Sequence, residues 1–83
     1  MIIGDGIMLG AGGESASIFV TGLNEADTVT ATNGIKTIIG KWKGNGFKIN
    51  QIKSYGTWTV SNGDGTKAAD VLIDAAAEFE VAL

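Results

Sequence analysis

From Ser15 onward, apolar and polar residues alternate with a period of two, the spacing of a strand that buries one face. Ala16, Ile18 and Val20 share one phase; Ser17, Phe19 and Thr21 share the other. They predict a first strand, and Gly22 to Asp27 reads as the loop after it. Val29 and Ala31, set among Thr28, Thr30 and Thr32, predict a second strand with a threonine face turned outward. Asn33-Gly34 follows and predicts a type I′ hairpin turn, whose two central residues both need positive φ. A third strand is expected from about Ile35 to Trp42, with Ile38, Gly40 and Trp42 inward.

Lys43 to Gly46 reads as a turn, and Phe47, Ile49 and Ile52 mark a fourth strand. Trp58 and Val60 face inward within Gly56 to Ser61. Asn62-Gly63-Asp64-Gly65 is a further turn, and Ala69, Val71 and Ile73 define the next strand. Phe79, Val81 and Leu83 alternate once more at the end. Ala75-Ala76-Ala77 favours a helix by propensity, but the segment is too short to hold one and reads as a connector. The regular succession of short strands and turns is that of an all-β sandwich or small barrel.

Composition narrows this picture. With 83 residues the chain is expected to form one domain with a modest core. It has no proline and 13 glycines, so glycine makes the turns. It has no cysteine and no histidine. Disulfides, thiolate or imidazole metal ligands, and Ser/His or Cys/His catalytic pairs are therefore excluded. Arginine is absent and the net charge is −3, the reverse of a nucleic-acid-binding footprint. No apolar run approaches a membrane span. The first nine residues lack the basic start of a secretory leader, so no signal peptide is expected.

Two segments and the scattered carboxylates invite a chemical reading and decline it. Gly4-Asp5-Gly6-Ile7-Met8-Leu9-Gly10 has the glycines of a nucleotide loop but no helix after it and no phosphate-binding lysine. The reading that fits is a glycine-rich arm over residues 1–14. Asn62-Gly63-Asp64-Gly65 has the look of part of a calcium loop, but Lys67 stands where further oxygen ligands are needed. The carboxylates fall at turns and on outward faces, and so small a sandwich offers little room for an acid/base cleft. No catalytic residue, metal or cofactor is expected, and the chain reads as a non-enzyme.

The aromatics and the charges bear on partners instead. Trp42 and Trp58 occupy the apolar phase of their strands and are expected in the core. Phe19 stands out of phase with Ile18 and Val20, and Tyr55 precedes a strand at Gly56, where it would brace a corner. All six lysines lie between Lys36 and Lys67 against one acid, Asp64, a net +5. Residues 68–83 carry four acids and no base. Such segregation would suit head-to-tail packing of copies or domains, but sheets routinely interleave distant segments, so the charges are expected to intermix in space as ordinary solvated faces.

Asp27-Thr28-Val29-Thr30-Ala31-Thr32-Asn33-Gly34, Gly40-Lys41-Trp42, Tyr55-Gly56-Thr57-Trp58-Thr59-Val60 and Asp70-Val71-Leu72-Ile73-Asp74 together resemble a bacterial immunoglobulin-like repeat. Such repeats occur in tail and tail-fibre-associated proteins of phages and prophages of gut Gram-positive bacteria. The Tyr55 to Val60 strand also looks like the penultimate strand of polycystic-kidney-disease-type domains. The resemblance covers Ser15 to Leu83. It implies an immunoglobulin-like β-sandwich of six to eight short antiparallel strands. It also implies a spacer or adhesion role in a virion tail or at a bacterial cell surface, with no catalytic residues to carry over. Phe19, Tyr55, Lys41 and Lys43 are the candidate contacts. The partner is expected to be a protein or a second copy meeting the sheet edges, or, in the alternative reading, a cell-surface glycan stacked on exposed aromatics.

Overall fold

The computed structural model describes residues 15–83, and the arm expected over residues 1–14 lies outside them. Eight strands form: β1 (Ala16–Thr21), β2 (Val29–Thr32), β3 (Thr37–Ile39), β4 (Lys41–Trp42), β5 (Phe47–Ile52), β6 (Gly56–Asn62), β7 (Ala68–Ile73) and β8 (Glu78–Ala82). They make two four-stranded sheets. One, the β1 sheet, has the order β4-β5-β1-β8; the other, the β2 sheet, has the order β3-β2-β6-β7. The described chain contains no helix, and Asp74 to Ala77 is a connector.

The apolar phases read from the sequence meet between the sheets. Ile18 and Val20 of β1, Ile49 and Ile52 of β5, Val29 and Ala31 of β2, Val60 of β6 and Ile73 of β7 are wholly buried. Ala16, Phe47, Trp58 and Val71 complete one sandwich-like core. Burying each large apolar side chain here contributes about 1.5–3 kcal/mol. Trp58 lies deep in it, and its indole N–H donates to the Ser54 carbonyl at 3.1 Å, so no polar atom is stranded. Trp42 is half-buried at the margin and meets Phe47 edge-on, with ring centroids 5.1 Å apart.

The expected all-antiparallel arrangement is corrected at one pair, because β8 runs parallel to β1. β7 ends at the end of the sandwich where β1 begins. The short link Asp74 to Ala77 then crosses directly to the other sheet, and the Ser17 N–H donates to the Ala77 carbonyl at 3.0 Å. β8 therefore starts level with β1 and must run the same way.

Two local readings are also corrected, and a third acquires its mechanism. The single third strand is two, β3 in one sheet and β4 in the other. The chain changes sheets at Gly40, where an added Cβ would stand 2.5 Å from Val29 Cγ1 and 3.2 Å from Ile49 Cγ1. The turn at Asn33-Gly34 exists but is not type I′, because Gly34 has positive φ and Asn33 does not. Instead the Asn33 side-chain oxygen accepts from the backbone N–H groups of Ile35 and Lys36, at 2.9 and 2.8 Å. Finally, Ile49 and Ile52 both point inward although three positions apart. An extra residue is accommodated between them, with Gln51 at φ 64°, and the register to β1 shifts there. This is a β-bulge, which returns Ile52 to the core face.

Candidate functional site

Strand alternation turns every second residue of the β1 sheet outward, and the register aligns these residues in rows. Lys41 of β4 lies opposite Lys48 of β5, Lys48 opposite Phe19 of β1, and Phe19 opposite Glu80 of β8. A single row thus runs from cation through aromatic to anion. Glu78 stands two residues before Glu80, and its carboxylate pairs with the Lys48 ammonium at 3.5 Å. The two side chains reach across β1, and both are substantially exposed, which keeps the pair weak and salt-sensitive.

Phe19 is half-buried and lies down over the start of β5. Gly46 makes that possible, because a Cβ there would stand 2.7 Å from Phe19 Cζ and 2.6 Å from the Val20 carbonyl oxygen. The ring forms part of a shallow depression of about 480 Å³, which Lys43, Asn45, Lys48, Asn50, Glu78 and Glu80 also line. A second depression of about 260 Å³ adjoins it at the β4 edge, between Ile38, Ile39, Lys41 and Gln51. Amide, ammonium and carboxylate groups around a ring edge can hydrogen-bond polyhydroxylated or peptide ligands.

Of the four candidate contacts, Phe19, Lys41 and Lys43 come together on this face. Tyr55 does not. It sits in the loop after β5, at the opposite end of that strand from Lys43, and is 38% exposed. The brace expected of it is supplied by Trp58, through the bond to Ser54 already described, and no hydrogen bond of the Tyr55 hydroxyl is present among the described residues. Lys48, Asn50, Glu78 and Glu80 belong to the same face and are missing from the sequence-based candidates. Their outward phase was readable in the sequence; their meeting required the strand order.

The turn at Asn62 to Lys67 closes on itself. Asn62 Oδ1 accepts from the Lys67 N–H at 3.0 Å, while Asp64 Oδ1 accepts from the Thr66 hydroxyl at 2.7 Å and the Thr66 N–H at 3.1 Å. These Thr66 bonds, the hydroxyl first, hold the Asp64 carboxyl below the usual aspartate range. Among the described residues no three acidic side chains gather as a metal site would need. No helix among them is long and apolar enough to cross a membrane. The chain matches no family model, no curated protein and no solved structure.

Proposed function

We propose that this chain is a non-catalytic immunoglobulin-like module that makes protein–protein contacts within a virion tail or a bacterial cell-surface assembly. Strand order supports the immunoglobulin-like reading. If β1 takes the place of strand B, the two sheets follow D-E-B-A and C′-C-F-G. The departure is the A position, filled here by β8 running parallel to its neighbour. The observation that carries the interaction role is the outer face of the β1 sheet. Its charged row ends at two edge strands, β4 and β8, whose outer backbone groups have no partner strand among the described residues. Open edges beside charged side chains are a recognised route to strand-mediated association.

The experiment is to fractionate the producing bacterium and its induced particles and to crosslink the chain in place. Recovery in particles or envelope, crosslinked through β4 or β8 to neighbouring proteins, supports the reading. Confinement to the soluble fraction without crosslinks overturns it. The depression beside Phe19 favours a second reading, glycan binding, in which a sugar packs its C–H groups on the ring and bonds to Asn45, Asn50 and Glu80. A glycan array read with the wild type and with Phe19→Ala separates the two, since binding lost with the ring belongs to the second.

A further inference from the structure

The two lateral sides of the molecule carry opposite charge. β3 and β4 are joined through Gly40 and form the same side of both sheets, and Lys36, Lys41 and Lys43 flank or lie on them with no acid. β7 and β8 form the other side. Asp70, Asp74, Glu78 and Glu80 belong to it; Lys67, at the turn into β7, is the nearest base in sequence, and Lys48 reaches across from β5 to pair with Glu78 at 3.5 Å, which leaves the side net acidic. The sheets therefore preserve in space the segregation that exists along the chain.

The register gives this segregation a geometry. Lys41 and Glu80 end the same row of the β1 sheet, so a copy displaced sideways by one sheet width sets Glu80 of one molecule beside Lys41 of the next. In the β2 sheet, Thr37 and Asp70 likewise end one row, and Ile39 and Ala68 another. Ile39 is 70% exposed on β3, and Leu72 is 61% exposed on β7. Both are outward residues of edge strands and would lose water in such a contact. Two basic sides meeting, or two acidic ones, would oppose like charges across strands.

We propose that this chain associates with copies of itself head to tail, the β7/β8 side of one molecule docking on the β3/β4 side of the next. The proposal rests on the reading of the chain as an interaction module and names its partner as a second copy. Because the two patches differ, each contact leaves one of each kind free, and association extends into an open chain or closes as a ring. The contact is small, since β4 has two residues and β3 three. Self-association is therefore weak and depends on concentration and salt.

The test is sedimentation of the full chain over a wide concentration range, at about 10 mM salt and at about 1 M, where the Debye length falls from about 30 Å to about 3 Å. At low salt the average mass should climb above the 8.5 kDa monomer with concentration, and high salt should weaken association about tenfold or more. Two charge-reversed chains sharpen the result. K41E/K43E makes both sides acidic, and E78K/E80K places lysines at the end of the row on each side. Each alone should remain monomeric, and an equal mixture should associate again, because each then offers the patch the other lacks. Restoration on mixing cannot come from misfolded chains. A wild type that stays monomeric at every concentration, variants that associate unchanged, or a mixture that fails to recover would each overturn the proposal. A monomeric wild type that still crosslinks to other proteins in particles would sink self-association and leave the module reading standing.

Discussion

Across the β1 sheet an outward row runs Lys41, Lys48, Phe19, Glu80; across the β2 sheet the corresponding row runs Thr37, Thr32, Thr59, Asp70. The first is charged at both ends with a ring between. The second is a hydroxyl surface with one acid, whose Oδ1 accepts from the Thr59 hydroxyl at 2.8 Å. Behind these rows both sheets feed one core of mostly β-branched residues, with Phe47 buried from the β1 sheet and Trp58 from the β2 sheet, and with Trp42 and Phe79 of the β1 sheet half-buried at its margin. The difference teaches that the buried core is common to both sheets, whereas the row charged at both ends belongs to one of them.

The strongest way to break the comparison is in the core. Trp58→Ala should cost about 3–5 kcal/mol and Ile49→Ala about 2–5 kcal/mol, because each opens a cavity in the common interior. Denaturant melts read the loss, and hydrogen exchange reads its extent. Amides of both sheets should lose protection together in either variant. If Trp58→Ala loosened only the β2 sheet, the sheets would be separate cooperative units.

Next in size is Gly40, where the chain passes from one sheet to the other. Gly40→Ala places a methyl group against Val29 Cγ1 and should destabilise by about 1–3 kcal/mol, as overpacked core sites do. Adding Val29→Ala should recover part of that loss, since the new methyl then occupies vacated space. The coupling between the two changes, measured as a double-mutant cycle, should be favourable and at least about 0.5 kcal/mol. Additive effects would mean that the close approach is not what requires glycine.

How much of this was legible in the sequence follows from which interactions are local. The core phases of Ile18, Val29, Trp58, Val60 and Ile73 were readable because alternation is a property of adjacent residues. The break at Gly40 was not, because Ile38, Gly40 and Trp42 share one phase and it is residues distant in sequence, Val29 above all and then Ile49, that crowd a side chain at position 40. Ile52 was readable as part of its strand, but the bulge that turns it inward was not, because it consists of Gln51 at positive φ and a shifted register against β1, neither of which its residue type announces. Segregated charge was visible along the chain, yet whether strands would intermix it depended on the order β4-β5-β1-β8, which no local pattern encodes. Tyr55 misled for a related reason. Its position at a strand entrance suited a brace, but Trp58 already satisfies its indole there and leaves the phenol outside.

Smaller effects separate the outer faces. Glu78→Gln removes the carboxylate charge facing Lys48, and with both side chains exposed it should cost at most about 0.5 kcal/mol, vanishing in high salt. Thr59→Val removes one exposed hydrogen bond from the β2 sheet and should change stability by no more than about 0.5 kcal/mol, independent of salt. Melts at low and high ionic strength check both. A salt-dependent Thr59→Val would show that Asp70 acts through charge and that the hydroxyl face is not electrostatically quiet.

The smallest expected effect is a pH dependence that belongs to the β2 sheet. Its β6–β7 turn holds Asp64, whereas the β4–β5 turn, Lys43 to Gly46, contains no acid. Asp64 is held below the ordinary aspartate value chiefly by the Thr66 hydroxyl and then by the Thr66 N–H, against slight desolvation. A carboxyl whose folded pKa is depressed binds its proton less readily in the folded chain than in the unfolded one. Its contribution is thus present above the unfolded value and lost as pH falls through the folded one. The group is fully exposed, so the loss should be confined to the turn. An NMR titration of the Asp64 carboxyl carbon should give a midpoint below the usual aspartate value, with faster exchange of the Thr66 amide as the pH drops through it. Thr66→Val removes the largest cause and should move the midpoint back up, leaving the β4–β5 turn unaltered. A midpoint that stayed low in Thr66→Val would assign the depression to the backbone N–H groups of Thr66 and Asp64 and to the Asn62 side chain, and the Thr66 hydroxyl bond would then be a consequence of the turn rather than part of what holds it.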